Sequence, residues 1–575
     1  MRGLRFKHGD IILAAAIILQ GSVRIVSTYR IFSQTIDEPG HIACGMELLQ
    51  LHSYRLEPQH APLARMATAL LPFLTGSRLP EFRPELLRME PMPDPYRFDW
   101  LPIFQFGNHI LTAGNNYSTT LALARLGILP FYILACVIVC LWARRLYSRG
   151  IALICLLLYA NLPPVLAHAG LATTDMAFAA TMAAAFFAFF EWTHRPTRFR
   201  LILWAVLTAM AIATRVTALV FLPLCFLSCG AVRLLAERKR WDARWILRQG
   251  NSLALFILTV AFTIWACYLF RTDMFYTPGE FRAKSLMFQS QVQPPLLERL
   301  KFTILSTSTP WSVCARGFFD SVHHARAGHS AYLFGKARRM GWWYYYPVAL
   351  GVKLPLVFLL LVVFGSCVLL FSASPDQWHR FQIILISAGL ILIVFMSSSV
   401  DIGVRLILPI VALLALLAGV AVESLCKYGV IGKSVLVIML SWFCIDSVMA
   451  HPNYLSYFNE FSRSSREPIL VDTDLDWGQD LLRLTRRVKR LNVDHIGVVY
   501  SGSADFQLMG IKNLWRLDPG QVTTGYVAIS KTAYYFSKGG LFAWPYFWIR
   551  RYQPIETVGS SIYLFHIPPT PGSGP

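Results

Sequence analysis

The chain has 575 residues, 55% of them hydrophobic and 15% charged, with a formal net charge of +21 and a mean hydropathy of +0.48. Soluble globular chains carry about 25% charged residues, so this balance excludes an ordinary soluble protein and indicates one integral to a membrane. The basic residues lie between apolar segments rather than on one soluble region, which excludes a nucleic-acid surface as the origin of the charge.

At the N-terminus, Arg2, Arg5 and Lys7 precede an apolar run that imitates a secretory signal. It has no small-x-small cleavage site and reads as an uncleaved first span. A crossing helix needs about 20 apolar residues. Candidate spans are roughly 11–29, 118–142, 151–167, 176–193, 201–214, 216–234, 250–270, 346–371, 382–399, 405–423 and 434–450, about eleven in all. Counted through these spans, the short-loop cations fall on one side: Arg144, Arg145 and Arg149, then Arg195, Arg198 and Arg200, then the run from Arg233 to Arg248, then Arg380, Lys427 and Lys433. The opposite short loops, 168–175 and 400–404, contain no Lys or Arg. The expectation is a cytoplasmic N-terminus.

Three long segments then lie outside: 31–117, 271–345 and everything after Ala450. Trp342-Trp343-Tyr344-Tyr345-Tyr346 marks the outer interface as an aromatic belt. In the tail, 494–500 and 525–530 read as strands bounded by turn formers. Asp476-Trp477-Gly478-Gln479 resembles a capping box opening a helix over 480–491. The predicted organisation is a helical membrane domain over 1–450 and a small α/β domain over 451–575, on the outer side. The eleven cysteines lie mostly inside apolar runs with no C-x-x-C pair, which argues against a disulfide framework or a thiolate metal site.

With this topology the unusual polar residues collect on one face. Asp37, Glu38 and His41 follow the first span, and Glu57, His60 and Arg65 belong to the same outer loop. Asp175 sits in an outer turn, Asp401 and Arg405 open the span at 405, and Lys353 lies inside the span at 346. An ionisable residue within a span marks a functional site, because an unpaired charge there costs a few kcal/mol.

The strings Ile36-Asp37-Glu38-Pro39-Gly40-His41, His60-x-Pro62-Leu63, Thr174-Asp175, Gly341-Trp342-Trp343-Tyr344-Tyr345-Tyr346-Pro347 and Arg405-x-x-Leu408-Pro409 resemble those of lipid-carrier-dependent glycosyltransferases. The relatives are the protein O-mannosyltransferases and the lipid A aminoarabinose transferases, which share the GT-C membrane fold. Ala61 departs from their usual second proline, and Asp401-Ile402-Gly403-Val404-Arg405 departs from their usual polar set.

The resemblance implies transfer of a sugar from a polyprenyl-phosphate carrier to an acceptor hydroxyl of a protein, lipid or glycan, at the outer face of a bacterial inner membrane. A phosphate leaving group needs little protonation, so one base and cations suffice, where a glycosidase needs two carboxylates. Asp37 is expected to be the base, with Glu38 in support. Arg405, Lys353, Arg65, His60 and Arg215 are the candidates for the phosphate, and Asp175, His41 and Glu57 for orienting the acceptor.

A divalent cation is one alternative: Glu38 and Asp175 either share it or orient the acceptor without it. His323, His324 and His329 read as a solvated loop. Asp472-Thr473-Asp474-Leu475-Asp476 misses the calcium-loop pattern by one position and reads as turn and cap chemistry outside the catalytic site. A cell-surface polysaccharide polymerase or ligase is the alternative function. A lipid-linked sugar transporter is a weaker one, since no internal repeat is visible.

Overall fold

A computed structural model describes residues 6–81, 98, 101–237, 243–273, 275, 308–372, 374–465, 467–518, 520–538 and 546–569. Arg2, Arg5, the run 238–240 and residues 276–307 of the second outer segment lie outside the described residues.

Hydropathy and length settle the main body. Seven described helices are long and apolar enough to cross a membrane: His8–Val26, Tyr117–Leu146, Asp175–His194, Gln249–Cys267, Pro375–Met396, Val404–Lys427 and Gly429–Met449. Asp175–His194 and Val404–Lys427 form the centre, and their alanines let neighbouring backbones approach closely. Peripheral helices instead present Leu19, Val23, Ile257, Leu258, Val437 and Ile438 outward, as lipid-facing surfaces do.

Prolines break two of the expected spans. The segment expected at 151–167 is a bent pair, Arg149–Ala160 and Pro163–Ala169, at 61°. The one expected at 346–371 is Tyr345–Lys353 followed by Leu356–Ser372, because Pro355 has no N–H to continue the ladder. Lys353 therefore ends a short helix instead of lying inside a long one.

The basic loops meet at one end of the bundle. Arg145 and Arg200 share Glu191 at 2.5 and 3.4 Å, and Arg149 lies 3.9 Å from Asp10. The loops before Asp37 and Arg405 gather elsewhere, under the tail.

The tail forms a five-stranded mixed sheet in the order β4-β3-β5-β7-β6. Its strands are β3 (Ile496–Val499), β4 (Leu514–Arg516), β5 (Gly525–Ser530), β6 (Glu556–Val558) and β7 (Ile562–Ile567). β3 pairs in parallel with β4 and β5, whereas β7 is antiparallel to β5 and β6. A hairpin from the second outer segment, β1 (Ala331–Leu333) and β2 (Lys336–Arg338), joins it through a bridge from Leu333 to Leu470. The fold class expected from sequence, helical membrane part plus small α/β tail, is the one observed.

The expected capping box is absent. Leu481–Leu491 has no side-chain cap. Asp476 instead accepts from the amides of Gly478 and Thr532, and Gln479 turns back onto the Trp477 amide.

The tail meets the bundle at Gly403. Its φ is +93°, and a Cβ there would stand 2.4 Å from Thr473 Oγ1. Thr473 donates to the Ile402 carbonyl at 2.5 Å, and the Val404 amide donates to Asp474 at 3.1 Å. Gly403→Ala is therefore expected to cost about 1–3 kcal/mol through backbone strain and this clash. A thermal melt in detergent showing no loss would place the junction elsewhere.

Candidate active site

Asp37 occupies the N-cap position of Glu38–Leu51 but makes no capping bond. The helix N-terminus favours its negative charge, while its oxygens stay available to other groups. The loop leading to it is fastened to the tail: the Ser33 amide donates to Gln479 and the Ile36 amide to Trp477, each at 3.0 Å. Ser503 Oγ donates to the Ile36 carbonyl at 2.8 Å. A segment the sequence reading kept apart from the chemistry thus forms one wall of the site.

Asp37 Oδ2 accepts a 2.7 Å hydrogen bond from Arg405 Nη1. Arg405 sits in the single turn Val404–Ile407, its guanidinium 4.3 Å over the ring of Trp477. The same Nη1 is 3.9 Å from Asp175 Oδ2. Asp175 opens the central Asp175–His194 helix and accepts from Arg215 Nη2 at 2.8 Å and from Thr173 at 3.1 Å. His168 Nδ1 lies 3.9 Å away. Arg215 Nη1 is buried with no hydrogen-bond partner among the described residues. Arg405, Arg215, Asp37 and Asp175 therefore alternate in charge across one small volume. Asp37 is its open edge, with 29% of its side chain exposed against 1% for Asp175.

Glu38 faces the other way. It is fully buried and accepts from Arg125 Nε and Nη2 at 2.8 Å, from the Ala172 amide at 2.8 Å, and from Thr35 through amide and hydroxyl. Arg125 spends its remaining donors on the carbonyls of Tyr29, Phe32 and Ser33. With five donors on two oxygens, Glu38 has no acceptor site left for a substrate. It braces the loop that carries Asp37.

Arg65 and His60 share one partner, Glu57. Arg65 is 1% exposed and pairs with Glu57, the Tyr54 hydroxyl and His41 Nδ1. Glu57 binds His60 at 2.8 Å as well. Burial pushes the Glu57 carboxyl up, but Arg65 and His60 outweigh it and hold the group well below the usual carboxylate range. Burial, then Arg65, keeps His41 well below the usual imidazole value. This second network neutralises its own charges beside the first, the His41 and His60 rings standing 5.4 Å apart. Lys353 is likewise committed: its ammonium donates to the carbonyls of Leu455 and Asp474 at 2.8 and 2.6 Å and lies over Phe458. It clamps the tail to the bundle.

The three tail aspartates separate. Asp474 and Asp476 hold backbone amides, as above. Asp472 adopts φ +50°, and its Oδ2 is enclosed without a partner. Burial pushes its carboxyl up to about 7, against the pull of Arg405, with Asp474 and Asp37 adding to the rise. It therefore belongs electrostatically to the Arg405 site, which the turn reading had not anticipated. Among the described residues no three His, Cys, Asp or Glu side chains converge as a metal site. The rings of His324 and His329 are 6.0 Å apart.

Sequence reading also missed Arg125, His168 and Trp477. An arginine within the apolar 118–142 segment was a usable signal, since a charge in a span needs a partner. Nothing local marks Trp477.

No protein-family model matches the sequence, and no curated protein sequence does. Several solved structures are similar in layout, two of them as follows. ArnT from Cupriavidus metallidurans, bound to undecaprenyl phosphate, matches with 13% identity over 97% of this chain and 98% of its own, at a TM-score of 0.47. The archaeal oligosaccharyltransferase AglB from Archaeoglobus fulgidus, in complex with an inhibitory peptide and a dolichol-phosphate, matches with 11% identity over 91% of this chain and 70% of its own, at 0.46. Likeness at this level decides nothing about the reaction, which has to be read from the side chains.

Asp401 supplies a pH test of the assembly. It is fully buried, its Oδ2 takes the Trp342 amide at 2.6 Å, and its Oδ1 has no partner. Burial raises its carboxyl to about 7, with the Trp342 amide opposing. A raised carboxyl favours the folded state below its unfolded value of about 4, and this contribution is lost as pH rises through 7. Asp401→Asn keeps an acceptor for Trp342 and cannot ionise. It is expected to melt higher than wild type at pH 8, by on the order of a few degrees, and equally at pH 4. An identical difference at both pH values would contradict the assignment.

Proposed function

We propose that this chain is a membrane glycosyltransferase that moves a sugar from a polyprenyl-phosphate carrier to an acceptor hydroxyl, on the outer face of the membrane and with inversion at the anomeric carbon. The observation that carries the reading is the Asp37–Arg405 contact. It places a partly exposed carboxylate and a cation together at the ends of two helices, where a lipid-linked substrate would present its headgroup.

Asp37 takes the proton of the acceptor hydroxyl, and the oxygen attacks the anomeric carbon as the carrier phosphate leaves. Arg405 and the unspent Nη1 of Arg215 receive the phosphate. Their charge matters most as the bond breaks, because that is when negative charge collects on the leaving oxygen. Asp175 sets the spacing of the two arginines, and Trp477 fixes the plane of one. Glu38 and Arg125 position the base through the backbone. Asp37→Asn should insert and fold normally yet lose roughly 10²-fold or more in turnover, measured with labelled polyprenyl-phosphate sugars and membrane extract as acceptor source. Glu38→Gln should instead lower the yield of folded protein, because it unpairs a buried arginine. Near wild-type transfer by purified Asp37→Asn would remove it as the base.

The orientation belongs to the same proposal, since the carrier presents its sugar outside. A reporter fused after Pro575 is expected to be extracytoplasmic, and one after Arg240 cytoplasmic. Both on one side would contradict the arrangement.

A further inference from the structure

The contact that brings the base and the phosphate cation together cannot persist through the reaction just proposed, and the inference drawn here rests on that reading. In a single displacement the base works on the acceptor side of the anomeric carbon and the phosphate leaves on the opposite side. Asp37 held on Arg405 stands where the phosphate should be. Among the described residues Arg405 Nη2 has no hydrogen bond, so a phosphate can approach that nitrogen while Asp37 still holds Nη1. The Arg405 Nε points to the Ile402 carbonyl at 3.4 Å, its face lies on Trp477, and Nη1 is occupied by Asp37. A phosphate engaging the guanidinium through two N–H groups needs the Nη edge, and two anions side by side on that edge repel.

The two carboxylates near Arg405 differ in their freedom to leave. Asp175 is buried and held by Arg215 and Thr173. Asp37 is the more exposed, has no capping bond, and among the described residues hydrogen-bonds through its side chain to Arg405 alone.

We infer that Arg405 is also the positioning residue of the base: it withholds Asp37 in the empty enzyme, and the phosphate of the lipid-linked donor displaces Asp37 from Arg405 toward the acceptor side. Released from Arg405, the Asp37 oxygens are free to turn to the acceptor hydroxyl. Donor binding thus arms the base, the donor binds before the acceptor, and an acceptor hydroxyl is not activated at an empty site. Before exchange Asp37 serves as a stand-in for the phosphate.

The test uses full-length protein in detergent, titrated with undecaprenyl phosphate carrying no sugar and followed by tryptophan fluorescence, with Trp477 against Arg405 as the reporter. If Asp37 competes for Arg405, Asp37→Asn should bind undecaprenyl phosphate about three- to ten-fold more tightly than wild type, although it is inactive in transfer. Arg405→Gln should bind more weakly than wild type. Asp37→Ser repeats the measurement should the asparagine variant fail to fold. Weaker binding by Arg405→Gln with unchanged or weaker binding by the Asp37 variants would overturn the exchange and leave the phosphate assignment standing. Unchanged binding in all variants would remove Arg405 from the phosphate site, and the exchange with it.

Discussion

Charges enclosed at the end of a membrane bundle have to be neutralised by one another, because water is too scarce to do it. Taking two ions out of water costs several kcal/mol each, recovered only with good geometry and further hydrogen bonds. The structure meets this constraint twice, at the neighbouring residues Glu38 and Asp37. Glu38 and Arg125 form a closed pair with every donor and acceptor spent. Asp37, Arg405, Asp175 and Arg215 form a row with one exposed carboxylate and one unspent N–H edge. The first arrangement is inert and holds backbone. The second keeps unused capacity, and only such a site can exchange an internal ion for a substrate.

The tail is inseparable from this arrangement. Trp477 supports Arg405, the carbonyls of Trp477 and Gln479 fix the loop before Asp37, and Thr473 and Asp474 seat Gly403. Lys353 fastens the same segment from the bundle side. Distant stretches of chain thus meet around residues 473–479, the segment that leads into the tail sheet. Asp472 stands apart, since its Oδ2 is enclosed without a partner and lies within electrostatic reach of Arg405.

Much of this layout is legible in the sequence, for physical reasons. Hydrophobic length places the helices, and alternation with turn residues places the strands at 496–499 and 525–530. The acidic residues after the first span and the arginine at 405 announce themselves because charge is costly near hydrocarbon. What local reading cannot supply is partnership. Asp37 and Arg405 are 368 residues apart, and neither spacing nor composition says that Arg65 and Lys353 are already engaged. Glu38 looked catalytic because it adjoins Asp37. Adjacent residues at a helix start point in different directions, and here one faces the pocket and the other the bundle. The prolines at 163 and 355 divide expected spans for a reason visible in sequence, the missing N–H, although the resulting bend is set by packing.

The account depends most on Arg405 as the group that meets the donor phosphate. A structure determined by cryo-electron microscopy with a polyprenyl phosphate bound tests this directly. The account predicts phosphate oxygens about 3 Å from Arg405 and Arg215, with Asp37 turned away from the guanidinium. A phosphate bound elsewhere, with Asp37 still on Arg405, would contradict it.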